Sequence, residues 1–258
     1  MISRLSPRAL IIATGVALFS AAPAFGQFAD ALLATPDDLA CAPRLAANAP
    51  STTGYVVGSP HADGRQLFGP RDSILLAVGA AHGVSVGTRF FTQRVATAAA
   101  STMRERGLRP LVISGWIRVV ALETYTSHAV VETACRVIRR GDQLSAFTRP
   151  AAVSPESETA ARYDNPATVI FGADGRALSG TGSLVVIDHG AEQQLVIGQR
   201  VTVFRFAPHH NDHQITKLGD GVVMLVHPTS AVVQLLSSID SVRSGDLAAI
   251  HPRPKTGR

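Results

Sequence analysis

The chain has 258 residues, a formal charge of +5 and 46% hydrophobic residues, enough length for two modest domains. Its first 26 residues read as a secretory signal: Arg4 and Arg8 precede a short apolar run over 9–22, and Ala24 and Gly26 provide the small residues before cleavage. Without that segment 22 of the 24 basic side chains remain against 19 acidic ones, and Arg253, Lys255 and Arg258 account for the excess, which argues against a nucleic-acid partner.

The mature chain is expected to start at Gln27 and to be soluble, and periplasmic or secreted. The signal's apolar run is too short to span a bilayer comfortably, and no later stretch reaches the roughly 20 apolar residues of a transmembrane helix. Residues 27–50 form an N-terminal extension holding Cys41. In an oxidising compartment Cys41 and Cys135, the only cysteines, are expected to form a disulfide tying the extension to the domain that follows. The alternative is two separately buried thiols.

The chain then repeats itself. Residues 62–94 align without a gap on 173–205, an offset of 111: Ala-Asp-Gly-Arg at 62–65 recurs at 173–176, and Gly79, Gly87, Arg89 and Arg94 fall on Gly190, Gly198, Arg200 and Arg205. Further on the match is looser. The run Gly115 to Val120 answers Gly221 to Val226, Ser127 answers Ser230, and Gly141-Asp142 answers Gly245-Asp246. This gives one β-domain over 51–148, a Pro- and Glu-bearing linker over 149–165, a second β-domain over 166–251 and a disordered basic tail over 252–258.

Within each unit the apolar runs are short, rich in Val, Ile, Phe and Thr, and punctuated by Gly, Asp and Pro, which is strand patterning. Asp63-Gly64 and Asp174-Gly175 suit hairpin turns, because Gly accepts the positive φ they need. Residues 88–94 and 199–206 read as strands. Gly221 to Val226, apolar throughout, reads as a strand buried on both faces or at a barrel centre. The Ala-rich stretch 95–106 and residues 208–214 occupy the same place in the two copies as variable excursions. The fold class is therefore all-β: two tandem homologous antiparallel barrel-like domains. Closure removes exposed strand edges, and barrels this small fill their interior with side chains.

The pattern Gly79, Val84, Val86, Gly87, Arg89, then Gly115-Trp116-Ile117-Arg118-Val119, then Arg140-Gly141-Asp142 resembles a small bacterial envelope module. It is similar to the C-terminal domain of flagellar assembly protein T and to domains found beside LysM modules. The resemblance implies a fold and an envelope setting, carried mainly by glycines and apolar positions.

Chemistry-bearing motifs are sparse. There is no Gly-x-Ser-x-Gly elbow, no His-Glu-x-x-His and no phosphate-binding glycine loop, so no catalytic residue and no cofactor are assigned. Gly180-Thr181-Gly182 reads as a turn of the repeat. His209, His210 and His213 are candidate metal ligands crowding one loop. Asp188-His189 reads as a local pair. Trp116, the only tryptophan, is either a packing residue or a sugar-stacking platform, with Tyr125 and Tyr163 as further aromatic candidates. Gly79, Gly87, Gly141, Asp142, Gly190, Gly198, Gly245 and Asp246 are assigned to structural turns, so Arg140-Gly141-Asp142 is expected to be a turn and not an adhesion loop. The functional expectation is a non-enzymatic envelope scaffold or interaction module whose partner is an envelope protein. Peptidoglycan binding is the alternative, and a metal enzyme built on the histidine loop is a more distant one.

Overall fold

The computed structural model describes residues 33–46, 53–61, 64–96, 109–157, 159–172, 178–207 and 214–253. The proposed signal, the histidine loop, the Asp63 and Asp174-Gly175 turn positions, most of both excursions and residues 254–258 lie outside these.

The described chain begins with a short helix α1 (Pro36–Ala40) and a strand β1 (Arg44–Ala46). The helix starts where Thr35 Oγ1 accepts from the Asp38 amide and the Asp38 carboxylate accepts from the Thr35 amide. Pro36 then fits the first turn, where no amide partner is needed.

The first β-domain comprises β2 (Gly54–Gly58), β3 (Leu67–Phe68), β4 (Ser73–Leu76), β5 (Arg89–Val95), β6 (Arg109–Leu122), β7 (Ser127–Ala134), β8 (Ile138–Arg139) and β9 (Gln143–Ala146). The second runs β10 (Arg162–Gly172), β11 (Leu178–Ser179), β12 (Leu184–Ile187), β13 (Arg200–Phe206), β14 (Ile215–Val226), β15 (Ala231–Ser238), β16 (Val242–Arg243) and β17 (Leu247–Ile250). Each closes into a six-stranded antiparallel barrel, β6-β5-β9-β2-β4-β7 and β14-β13-β17-β10-β12-β15. In each, a two-stranded ribbon, β3 with β8 or β11 with β16, lies outside that cycle. β10 starts at Arg162, inside the stretch read from sequence as linker.

The barrel interiors are filled. Val56, Ile74, Leu76, Phe90, Ile117, Val119, Val131 and Leu144 pack the first, with Phe68 and Ile138 of the ribbon joining the same core. Val169, Val185, Ile187, Val201, Val203, Val223, Val233 and Leu235 pack the second. Full burial of each such side chain contributes roughly 1.5–3 kcal/mol.

Close approach explains two of the repeated glycines. A Cβ on Gly79 would stand 2.6 Å from the Glu123 carbonyl and the Thr126 amide; one on Gly190 would stand 2.3 Å from the His227 carbonyl. Thus Ser230 takes the step of Thr126, and not that of Ser127 as the sequence match had it. A second correction concerns Gly115. It lies at the bulge opposite Thr92, and its Cβ would strike the Thr133 carbonyl; Gly219, opposite Val203, makes the same approach to the Ser237 carbonyl. The equivalent of Gly115 is therefore Gly219, two residues before the Gly221 that sequence similarity selected. Beyond the excursion the two copies keep a constant offset of 104, set by strand pairing.

The N-terminal segment packs on both barrels. The disulfide Cys41–Cys135 fixes it to the first, where Ala40 meets Phe91, Ile113 and Trp116. On the second, Leu39 covers Val222 and Met224, while Ala42 and Leu45 cover Ile170, Val186 and Val232. This cover explains why β14 is apolar on both faces: Val223 points into the barrel while Val222 and Met224 lie under the strap.

Candidate functional site: a groove on the first barrel

Duplication provides an internal control, because equivalent positions with different chemistry mark where the copies have been used differently. Three places stand out.

The first is a position where the copies agree. Arg94 on β5 bonds both carboxylate oxygens of Asp142, at 3.0 and 2.9 Å, and Asp142 also accepts from the Arg139 amide. Arg205 bonds Asp246 at 2.6 and 2.8 Å, and Asp246 accepts from the Arg243 amide. The hydrogen bond to Asp246 raises the Arg205 pKa above its ordinary value. Gly141 and Gly245 supply the positive φ of the turns, +87° and +92°. With Asp142 only 2% exposed, Arg140-Gly141-Asp142 cannot present its carboxylate to an adhesion receptor. Gly87 and Gly198 are likewise turn glycines, at φ +90° and +89°.

The second is a substitution of one cluster for another on the outer wall. In the first copy Phe91, Trp116 and Phe147 stack with centroids 4.7–6.5 Å apart, beneath the strap and the disulfide. At the same three steps the second copy has Thr202, Asp220 and His251. Thr202 Oγ1 lies 2.9 Å from Asp220 Oδ1 and 2.9 Å from His251 Nε2, while His251 Nδ1 faces the Thr159 carbonyl of the interdomain segment. That segment is further held by Arg200 on the Glu156 carbonyl and by Arg253 on the Glu156 carboxylate. Each barrel thus receives the chain that precedes it on the same wall, clamped by a disulfide and aromatics in one case and by polar bonds in the other. Trp116, 7% exposed, is a packing residue and offers no face to a sugar.

The third is an open groove of about 460 Å³ on the first barrel, lined by Leu67, Phe68, Gly69, Pro70, Ala134, Arg136 and Val137. It lies between the β3–β8 ribbon and the end of β7, next to Cys135. Leu67 and Val137 are 59% and 49% exposed. Arg71, Arg139 and Arg140 adjoin it through the backbone: Arg71 follows Pro70, Arg139 pairs across the ribbon with Leu67, and the Arg140 amide bonds the Gln66 carbonyl. Among the described residues no carboxylate pairs with the side chains of these three arginines. The counterparts of Phe68, Pro70, Ala134, Arg136 and Val137 in the second copy are Ser179, Thr181, Ser238, Asp240 and Ser241. There the polar groups bond one another: Ser238 Oγ donates to the Asp240 carbonyl and the Ser241 amide to Asp240 Oδ1.

The remaining sequence candidates are local or outside the described residues. Asp188 accepts from the Thr168 amide and faces His189, consistent with a local pair. Gly180 and Gly182 belong to a turn, Gly182 at φ +81°. Tyr163 packs on Phe204, whereas Tyr125 is 70% exposed with its ring edge-on to His82. His209, His210 and His213 lie outside the described residues. Among the described residues no three His, Cys, Asp or Glu side chains are grouped to hold a metal ion, and no helix is long and apolar enough to cross a membrane.

Sequence reasoning missed the groove and the Thr202–Asp220–His251 cluster. The available signal was the set of positions at which the two copies differ in kind, which alignment by similarity passes over. No protein-family model and no curated protein matches the chain.

Proposed function

We propose that this chain is a non-catalytic exported envelope protein that acts as an interaction module or scaffold through its two barrels. The observation that carries the reading is the asymmetry at one end of the repeated fold: an apolar groove flanked by arginines in the first copy, and in the second a surface where Leu178 and Ile239 are exposed but Ser238, Asp240 and Ser241 bond one another. Apolar side chains left open beside unpaired like charges are a feature of recognition surfaces, since they gain by being covered. The disulfide fits an oxidising compartment, and the resemblance to envelope modules points to the same setting.

Peptidoglycan binding is the second reading, favoured by one observation, the exposed ring of Tyr125. A pull-down of the mature protein against whole envelope extract and against purified peptidoglycan separates the two. Recovery of defined protein partners supports the module; retention on peptidoglycan alone overturns it in favour of glycan binding.

A further inference from the structure

We propose that the groove of the first barrel takes an extended peptide segment of a partner protein in which acidic and apolar side chains alternate. This rests on the interaction-module reading and specifies its partner's chemistry.

The apolar requirement follows from the floor and walls. Leu67 stands exposed on β3 and Val137 just before β8, its partner strand, with Pro70 and Ala134 also lining the groove. The volume suits a few apolar side chains, being within the range of small-ligand pockets, but the groove is too open to enclose a whole small molecule.

The acidic requirement follows from the rim. Arg71, Arg139 and Arg140 are exposed, and no described carboxylate neutralises their side chains. Other arginines of the first barrel are paired: Arg65 with Asp72, Arg94 with Asp142, Arg118 with Glu132. In the second copy the rim equivalents are Gly182, Arg243 and Ser244, and Arg243 is 3.9 Å from Asp246. Apolar exposure is present in both copies, with Leu178 and Ile239 exposed in the second, but only the first sets it beside three arginines that no described carboxylate pairs. An acidic–apolar segment satisfies both, its carboxylates meeting guanidinium forks while its apolar residues cover the floor. A peptide suits the dimensions better than a bilayer, which would need a broad, flat apolar face.

The test uses the full mature chain and a fluorescein-labelled peptide of about ten residues alternating Glu and Leu, long enough when extended to cross the groove. A peptide alternating Lys and Leu serves as control. Saturable binding of the Glu peptide is expected, weakening with added salt. Val137→Asp, and separately the pair Arg139→Glu with Arg140→Glu, should each weaken it by about tenfold or more. Ser241→Asp and Arg243→Glu, the matching changes in the second barrel, should not. All these positions are exposed or face the groove, and circular dichroism checks the fold of each variant. Equal binding of the two peptides, or binding unaffected by the groove variants, would overturn the proposal. So would capture by phosphatidylglycerol vesicles that the Glu peptide fails to compete. Failure here with envelope partners still recovered by the Val137→Asp protein would refute the groove and leave the module standing. Peptide binding with no protein partner recovered would instead count against the module.

Discussion

Arg94 holds both oxygens of the buried Asp142 carboxylate, and the same arginine–aspartate grip recurs between Arg205 and Asp246. The arginine comes from the strand that pairs with the last strand of each barrel, β5 with β9 and β13 with β17, and the aspartate from the turn before that last strand, so the bond fixes the closing turn to the barrel. Each aspartate also receives the amide three residues before it, which fixes the turn. The glycine and aspartate that suggest an adhesion ligand in the first copy are therefore a repeated closing device.

Removing Arg94 leaves the Asp142 carboxylate buried with a single amide partner. Breaking a buried pair from one side typically costs about 3–5 kcal/mol. Arg94→Met should destabilise the first barrel by about 3 kcal/mol, at the low end because Arg94 itself is partly exposed. Arg205→Met should destabilise the second barrel by less, because the Arg243 guanidinium remains 3.9 Å from Asp246. Hydrogen exchange read by mass spectrometry should show lost protection confined to the barrel that carries the change. Uniform loss over both barrels, or none in either, would be incompatible with this role.

Trp116 reports on the strap, because the disulfide and Ala40 cover it. The bond closes a loop with a sequence separation of 94, and chain-entropy models assign a loop of that size about 4–5 kcal/mol. Cys41→Ser with Cys135→Ser should lower stability by several kcal/mol on that basis and shift the fluorescence of the single tryptophan to the red as the strap loosens. An unshifted emission would mean the strap stays seated on its apolar contacts alone.

How much of this was legible in the sequence depends on what kind of constraint wrote it. Turn glycines and the Arg94/Arg205 match recur at a fixed offset because backbone closure demands the same residue at the same step, so the barrels could be read from one chain. Gly115 shows the limit. Apolar residues following a glycine point to Gly221 as its partner, whereas the true constraint is the approach of Gly115 and Gly219 to a neighbouring carbonyl. That contact leaves no pattern in the adjacent residues. The groove was hidden for a different reason. Leu67 and Val137 look like ordinary strand residues, yet Leu67 on β3 and Val137 just before β8 are both exposed where that ribbon forms.

Thr202 is the bridge between His251 and Asp220, and through His251 it holds the Thr159 segment. Thr202→Val keeps the shape but leaves two buried or half-buried polar groups without this partner, at a cost of about 1–3 kcal/mol. The interdomain segment around Thr159 should then loosen and be cut faster in limited proteolysis, with the first barrel's stability unchanged. Unchanged cleavage would show that the Glu156 contacts hold the segment without the hydroxyl.

His227 and Arg44 give the protein a pH dependence of predictable sign. Burial first, and the Arg44 charge second, push the His227 pKa down to about 4. In the unfolded chain the same ring titrates near 6.5. Between those values the unfolded chain takes up a proton that the fold refuses, so stability falls as pH drops from about 6.5 to about 4 and is unaffected by this group above that window. The full effect is on the order of 3 kcal/mol. His227→Gln should remove this step from the pH–stability curve. Arg44 separates the two causes. Its guanidinium lies 4.5 Å over the Phe91 ring with Nε buried and unbonded, and burial lowers its own pKa. Arg44→Met keeps apolar cover on Phe91 while removing a desolvated charge, so it should cost little stability or increase it. In that variant the His227 midpoint, followed by NMR, should rise towards but not reach 6.5, since burial remains. A folded-state midpoint already near 6.5 in the unmodified protein would refute the account, and a midpoint unmoved by Arg44→Met would assign the whole shift to burial.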